Sequence, residues 1–290
     1  MPTTRLKLRR KTRLTISRSR IFQLFKYAVY AFLTLDVYWF FIEEFAAAKL
    51  QFPGGVDLSQ VIEAYAATID TAAWVILLLM FELETYVLDE HHFTRAVTWS
   101  LQGARIICYG FIVYAFYGYI VNVTFLDGMT ALDGISNLCE LADKWSYSVD
   151  LDEYVAITAA NCGVFSGATT FLQFPGMPAV VDAVGFWDIL ALAWVDVINA
   201  GVWLIVVIVL EVDVQLQEKN RFEGRALRLS NGMKVILYSV LFLAAVYWGF
   251  NGDFVDFWDA FLWLVAFFFI ELNVVEWRQE SLTEDAALDH

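Results

Sequence analysis

Six long apolar stretches decide what this chain can fold into. They run approximately over Ile21–Glu43, Ile69–Leu88, Arg105–Phe125, Trp187–Leu216, Met233–Phe250 and Phe254–Trp277. Crossing about 30 Å of bilayer hydrocarbon takes about 20 helical residues, and each stretch supplies close to that. With no water present, every backbone N–H and C=O must be satisfied within a helix or a closed barrel. The stretches lack the alternation of apolar and polar residues, over segments of about ten, that a barrel strand shows. The expected fold is an all-α integral membrane protein with six transmembrane helices. Hydrophobic residues make up 59% of the chain, against roughly 45–50% in soluble domains.

Basic residues set the expected orientation. Arg5, Lys7, Arg9, Arg10, Lys11, Arg13, Arg18 and Arg20 precede the first span, and Lys219, Arg221, Arg225, Arg228 and Lys234 join the fourth to the fifth. The opposite side carries only Lys49 and Lys144. By the positive-inside rule both termini are expected in the cytoplasm, and the location expected is a bacterial plasma membrane. The first span is too long for a signal-peptide core and contains Asp36, so it is read as a span. The chain then divides into a basic segment (1–20), three helices (21–125), an extracytoplasmic loop region (126–186), three more helices (187–277) and an acidic tail (278–290). A net charge of −14 and the lack of a recognition motif argue against nucleic acid as a partner.

The outer side is acidic: Asp57, Glu63, Asp127, Asp133, Glu140, Asp143, Asp150, Asp152, Glu153, Asp182, Asp188, Asp253 and Asp256 all fall there. Such a field concentrates cations and basic partners, although a solvated surface is the plainer account. The loop region holds Cys139 and Cys162, which on the oxidising side are expected to form a disulfide; Cys108 lies within a span and reads as packing. The apolar stretch Gly163–Val181, with Pro175 and Pro178, reads as an interfacial helix followed by a turn, or as a re-entrant segment.

The even spans share a spacing: Asp70-x3-Trp74-x7-Glu82, Asn199-x3-Trp203-x7-Glu211 and Asp259-x3-Trp263-x7-Glu271. Glu84, Asp213 and Asn273 follow two residues after each glutamate. The odd spans show a weaker counterpart, Lys26-x3-Tyr30-x7-Tyr38 and Arg105-x3-Tyr109-x7-Tyr117, with Lys234 and Tyr238 approximating it. A pentapeptide also recurs, Leu50–Gly54 and Leu172–Gly176, whose Pro-Gly pairs predict chain reversals. The pattern predicts three antiparallel two-helix units with approximate threefold pseudosymmetry. This layout is similar in outline to mitochondrial carriers, but their signature of a proline, an acid and a base on each odd helix is absent, so no function follows.

Charged groups inside spans are costly, at about 2.5–3.5 kcal/mol for a lone charge even on the mildest scale, and so are expected to be buried in protein. Lys26, Glu82, Arg105, Glu211, Lys234 and Glu271 form an expected charge network at the cytoplasmic end, and Asp36, Asp70, Asn199 and Asp259 an expected polar path further out. The network can pin each hairpin with an ion pair while the tryptophans fill the core, or it can act as a gate.

No catalytic chemistry is apparent. His91, His92 and His290 lie outside the spans, which excludes haem held by two histidines within the bilayer. Phosphate loops, nucleophile elbows and zinc helices are also missing, so no enzyme activity, cofactor or resident metal is expected. Two functions remain: a transporter or channel for a small cation or solute, and a non-catalytic subunit of a larger membrane assembly. The partners expected are the lipid bilayer, a cation, and either further copies of the chain or other membrane subunits.

Overall fold

The computed structural model describes residues 3–84, 94–168, 170–218, 224–251 and 254–268. Among the described residues, four helices are long and apolar enough to cross a membrane: Phe22–Gln51 within α1 (Thr3–Gln51), α4 (Arg95–Leu126), Ala183–Asp213 within α6 (Ala183–Glu218), and α7 (Arg225–Asn251). Two further helices pack beside them, α3 (Ala66–Glu82) and α8, described over 254–268. A short helix, α2 (Val61–Ala64), leads into α3 through a break at Tyr65, whose φ and ψ of −140° and 38° are not helical.

The neighbours follow from chain order. Helix α3 packs between α1 and α4, while α6 packs against α4 and α7. At Gly118 of α4, an added Cβ would meet the Ile62 carbonyl oxygen at 2.9 Å and the Ala66 Cβ at 3.1 Å. The missing side chain is what lets α4 approach the α2–α3 junction. The large exposed side chains on the long helices, such as Ile106, Phe111, Ile208 and Phe242, form the apolar outer surface that a bilayer covers.

Between α4 and α6 the chain builds a small domain around a five-stranded sheet. Its strands are β1 (Thr130–Ala131), β2 (Ser146–Ser148), β3 (Tyr154–Ala156), β4 (Phe171–Gln173) and β5 (Ala179–Asp182), in the order β1-β4-β5-β2-β3. Neighbours are antiparallel except β2 and β5, which run parallel with Tyr147 opposite Val180. Cys139 and Cys162 are disulfide-bonded, tying a 3-10 turn (Leu138–Leu141) to α5 (Cys162–Phe165).

The stretch Gly163–Val181 is therefore neither re-entrant nor an interfacial helix. It forms most of α5, the strand β4 and nearly all of β5. Its apolarity has another cause. Val180 packs with Leu138, Ile157 and Phe171 on one face of the sheet, whereas Ala179 and Val181 pack on the other with Val123, Ile189 and Ala193 of the helices. A strand buried on both faces reads as a continuous apolar run.

The two copies of the pentapeptide share only their turn. The first ends a helix and the second ends β4, after which Pro175-Gly176 turns with Gly176 at φ +73°. Phe174 is fully buried beneath the sheet, against Phe125 and Tyr154.

Candidate functional site

The repeated tryptophans meet. Trp74, Trp203 and Trp263 come from three different helices, with ring centroids 6.1 Å apart for Trp74–Trp203 and 6.2 Å for Trp74–Trp263. Phe267 closes the group, 4.5 Å from Trp203. Each indole is buried among Leu33, Leu78, Val206 and Leu262, in the largest apolar cluster of the bundle. The residue spacing alone puts an aromatic ring at the same height in every even helix; their meeting at one point is a property of the packing.

One helical turn, about 6 Å, nearer the sheet, the partners of these tryptophans in the repeat line a single cavity. Asp70, Asn199 and Asp259 all border this space of about 130 Å³. Trp263 donates its indole N–H to Asp259 Oδ1 at 3.1 Å, and Trp74 follows Asp70 at the same four-residue spacing. Tyr119 of α4 reaches Asp70 Oδ2 at 3.5 Å. Asp70 Oδ1 and Asn199 Oδ1 are buried and have no hydrogen-bond partner. Asp36 is fully buried with neither oxygen partnered, and it lies within electrostatic reach of Asp259. It continues the face of α1 that carries Gln51, Ala47, Glu44 and Phe40 along the cavity wall, one turn deeper.

Further carboxylates come from residues that the sequence alone assigned to a solvated surface or did not single out. Glu63, Asp150, Asp152 and Asp256 belong to the acidic outer set, yet they line this cavity together with Glu44 and Asp196. Among the described residues, eight carboxylates thus border it and no lysine, arginine or histidine does. A weak signal was available for two of them: Asp196 and Asp256 each stand three residues before the repeat position, at Asn199 and Asp259. Glu44 gave none. It reaches from α1 to the start of α3, accepting hydrogen bonds from the Ala67 and Thr68 backbone N–H groups at 2.8 and 3.0 Å and from Thr68 Oγ1 at 2.6 Å. A carboxylate on the free N–H groups of a helix start also complements the helix dipole.

The sheet domain borders one end of the cavity. Asp150, Leu151 and Asp152 lie in the β2–β3 connection, and Gln51 at the end of α1 holds it by donating to the Leu151 carbonyl at 2.8 Å. Tyr154 donates to the same carbonyl at 2.8 Å, and burial pushes its phenol above the usual range.

Beyond the tryptophans lies a second cavity of about 200 Å³, lined by Trp74, Trp263, Phe267, Phe81, Tyr109 and Glu211 among others. The indoles thus stand between an acidic space and a largely apolar one.

The expected charge network is assembled differently from hairpin-by-hairpin pairing. Lys26 and Glu82 do join α1 and α3, at 2.7 Å and well buried. Arg105, however, pairs with Glu84 at 2.8 Å, and Lys234 with Asp213 at 2.9 Å. Both acids occupy the repeat position two residues after the glutamate, and both belong to the helix preceding the base. Two residues turn a helix by about 200°, which puts the acid on the side away from Glu82 or Glu211 and towards the following helix. Glu211 instead is exposed at the second cavity, and Glu271 lies outside the described residues, as do His91 and His92.

Among the described residues no three His, Cys, Asp or Glu side chains converge as metal ligands. No protein-family model, curated protein or solved structure matches the chain, so the functional reading rests on the site itself.

Proposed function

We propose that the chain is a membrane transport protein or channel for a small cation, built from six spans as three two-helix units around the tryptophan layer. The observation that carries this reading is the cavity bordered, among the described residues, by eight carboxylates and no basic group, with Asp70, Asn199 and Asp259 one turn from that layer. A low-dielectric chamber of one sign attracts counter-ions, and unpartnered buried acceptors are sites for an ion or its water. In this reading the sheet domain faces outward and both termini are cytoplasmic, by the distribution of lysine and arginine. The three indoles form the barrier between the two cavities, and the ion pairs at the basic end hold the helices around the inner one. No catalysis is assigned.

The test is flux into liposomes carrying the purified protein, under Na⁺, K⁺ and H⁺ gradients, with Asp70→Asn as the variant. At least a tenfold drop in flux is expected at equal membrane abundance and unchanged melting temperature. Equal flux removes Asp70, and with it the cavity, from the mechanism. A second reading, a non-catalytic subunit of a larger assembly, is favoured by one feature: Trp187, Trp194, Ile198 and Ile205 form a continuous outward row on α6. Foreign subunits bound in constant ratio, seen by native mass spectrometry, would support it.

A further inference from the structure

Resting on the cation reading, we infer that the acidic cavity takes a linear organic amine carrying more than one positive charge, rather than a bare metal ion. The carboxylates are numerous but dispersed. They come from α1, α2, α3, α6, α8 and the β2–β3 connection, and no three of them converge in the way a metal ion requires. They also stand at different depths. Asp150 and Asp152 belong to the sheet domain, and Asp70 and Asp259 lie one turn from the tryptophan layer. A flexible chain of ammonium groups separated by methylenes meets such an arrangement one carboxylate at a time.

The remaining wall suits the methylenes. Phe40, Tyr119, Phe125 and Trp248 line the same space, and aromatic faces attract ammonium groups while covering alkyl segments. Trp248 is 4% exposed and its indole N–H has no acceptor, while Asp70 Oδ1 and Asn199 Oδ1 in the same wall have no donor. Asp70 Oδ1 and Asn199 Oδ1 are acceptors that an N–H-bearing occupant satisfies. An ammonium nitrogen offers up to three N–H donors to such acceptors.

The experiment is isothermal titration calorimetry of the full-length protein in lipid nanodiscs with spermidine, putrescine, Na⁺, K⁺ and Ca²⁺, at constant ionic strength. Saturable spermidine binding is expected, weakened at least tenfold by Asp70→Asn and, independently, by Asp152→Asn in the β2–β3 connection. The melting temperature of each unliganded variant shows that it is folded, and Asp152→Asn serves where Asp70→Asn does not fold. Spermidine binding that neither variant weakens is surface attraction to an acidic protein and overturns the inference. Binding of a metal ion that Asp70→Asn abolishes, with no spermidine binding, overturns the amine class and leaves the cation reading standing. No binding by any of the five cations overturns both.

Discussion

Lys26 of α1 and Glu82 of α3 meet at 2.7 Å with side chains only 4% and 9% exposed, so that two helices of the bundle are fixed by a buried ion pair. Tyr27 adds its hydroxyl to the same Glu82 oxygen at 3.0 Å. Removing one partner strands the other charge. Lys26→Met is expected to destabilise by about 3–5 kcal/mol, and replacing Glu82 by Met as well to restore most of that. Denaturation in mixed micelles gives both values. A double variant no more stable than the single one would show that the pair is not coupled.

Glu44 accepts three hydrogen bonds at the start of α3. Glu44→Ala leaves two backbone donors open and is expected to cost about 2 kcal/mol. Hydrogen exchange should then quicken at the Ala67 and Thr68 amides and not at the far end of α3. Unchanged exchange at both amides would remove the capping role.

Cys139 and Cys162 are 23 residues apart, a loop whose closure is worth about 3 kcal/mol on the chain-entropy model. Replacing both by serine is expected to loosen the sheet domain first. Limited proteolysis should cut within residues 130–182 while the helices stay protected. Cleavage equally fast with and without the bond would place the stability of the domain in its apolar cores.

Tyr147 donates to Asp182 at 2.9 Å and stacks on Phe165, with ring centroids 4.4 Å apart. Burial, with the carboxylate beside it, pushes its phenol from 10.0 up to about 12. The raised value means that the folded domain holds this proton more tightly than the unfolded chain. Its contribution is therefore complete below pH 10 and is lost as pH rises through about 12. Tyr147→Phe is expected to flatten the fall in melting temperature between those limits. An identical fall in both proteins would assign it to other groups.

The long helices were legible in the sequence because their signal is local. A run of apolar residues the length of a bilayer demands a helix wherever it is placed, and α1, α4, α6 and α7 contain the stretches expected of them. The spacing from Asp70 to Trp74 fixes that the two lie one turn apart, and the same holds for Asn199 with Trp203 and Asp259 with Trp263. The sheet was not legible. Its strands span two to four residues, too few to show the alternation that marks a strand, and β5 is buried on both faces.

What only the tertiary structure decided is which of these residues share a space. By sequence, Asp150, Asp152 and Asp256 belong to an outer surface and Glu44 is not singled out; packing gathers them around Asp70 and Asp259. By sequence, Arg105 and Lys234 can pair with any acid at their depth; the rotation of α3 and α6 selects Glu84 and Asp213. Local spacing determines depth along a helix axis, through a fixed rise of about 1.5 Å per residue. Position around that axis relative to a neighbour is set by how side chains interlock over the whole contact, and no short stretch of the chain encodes it.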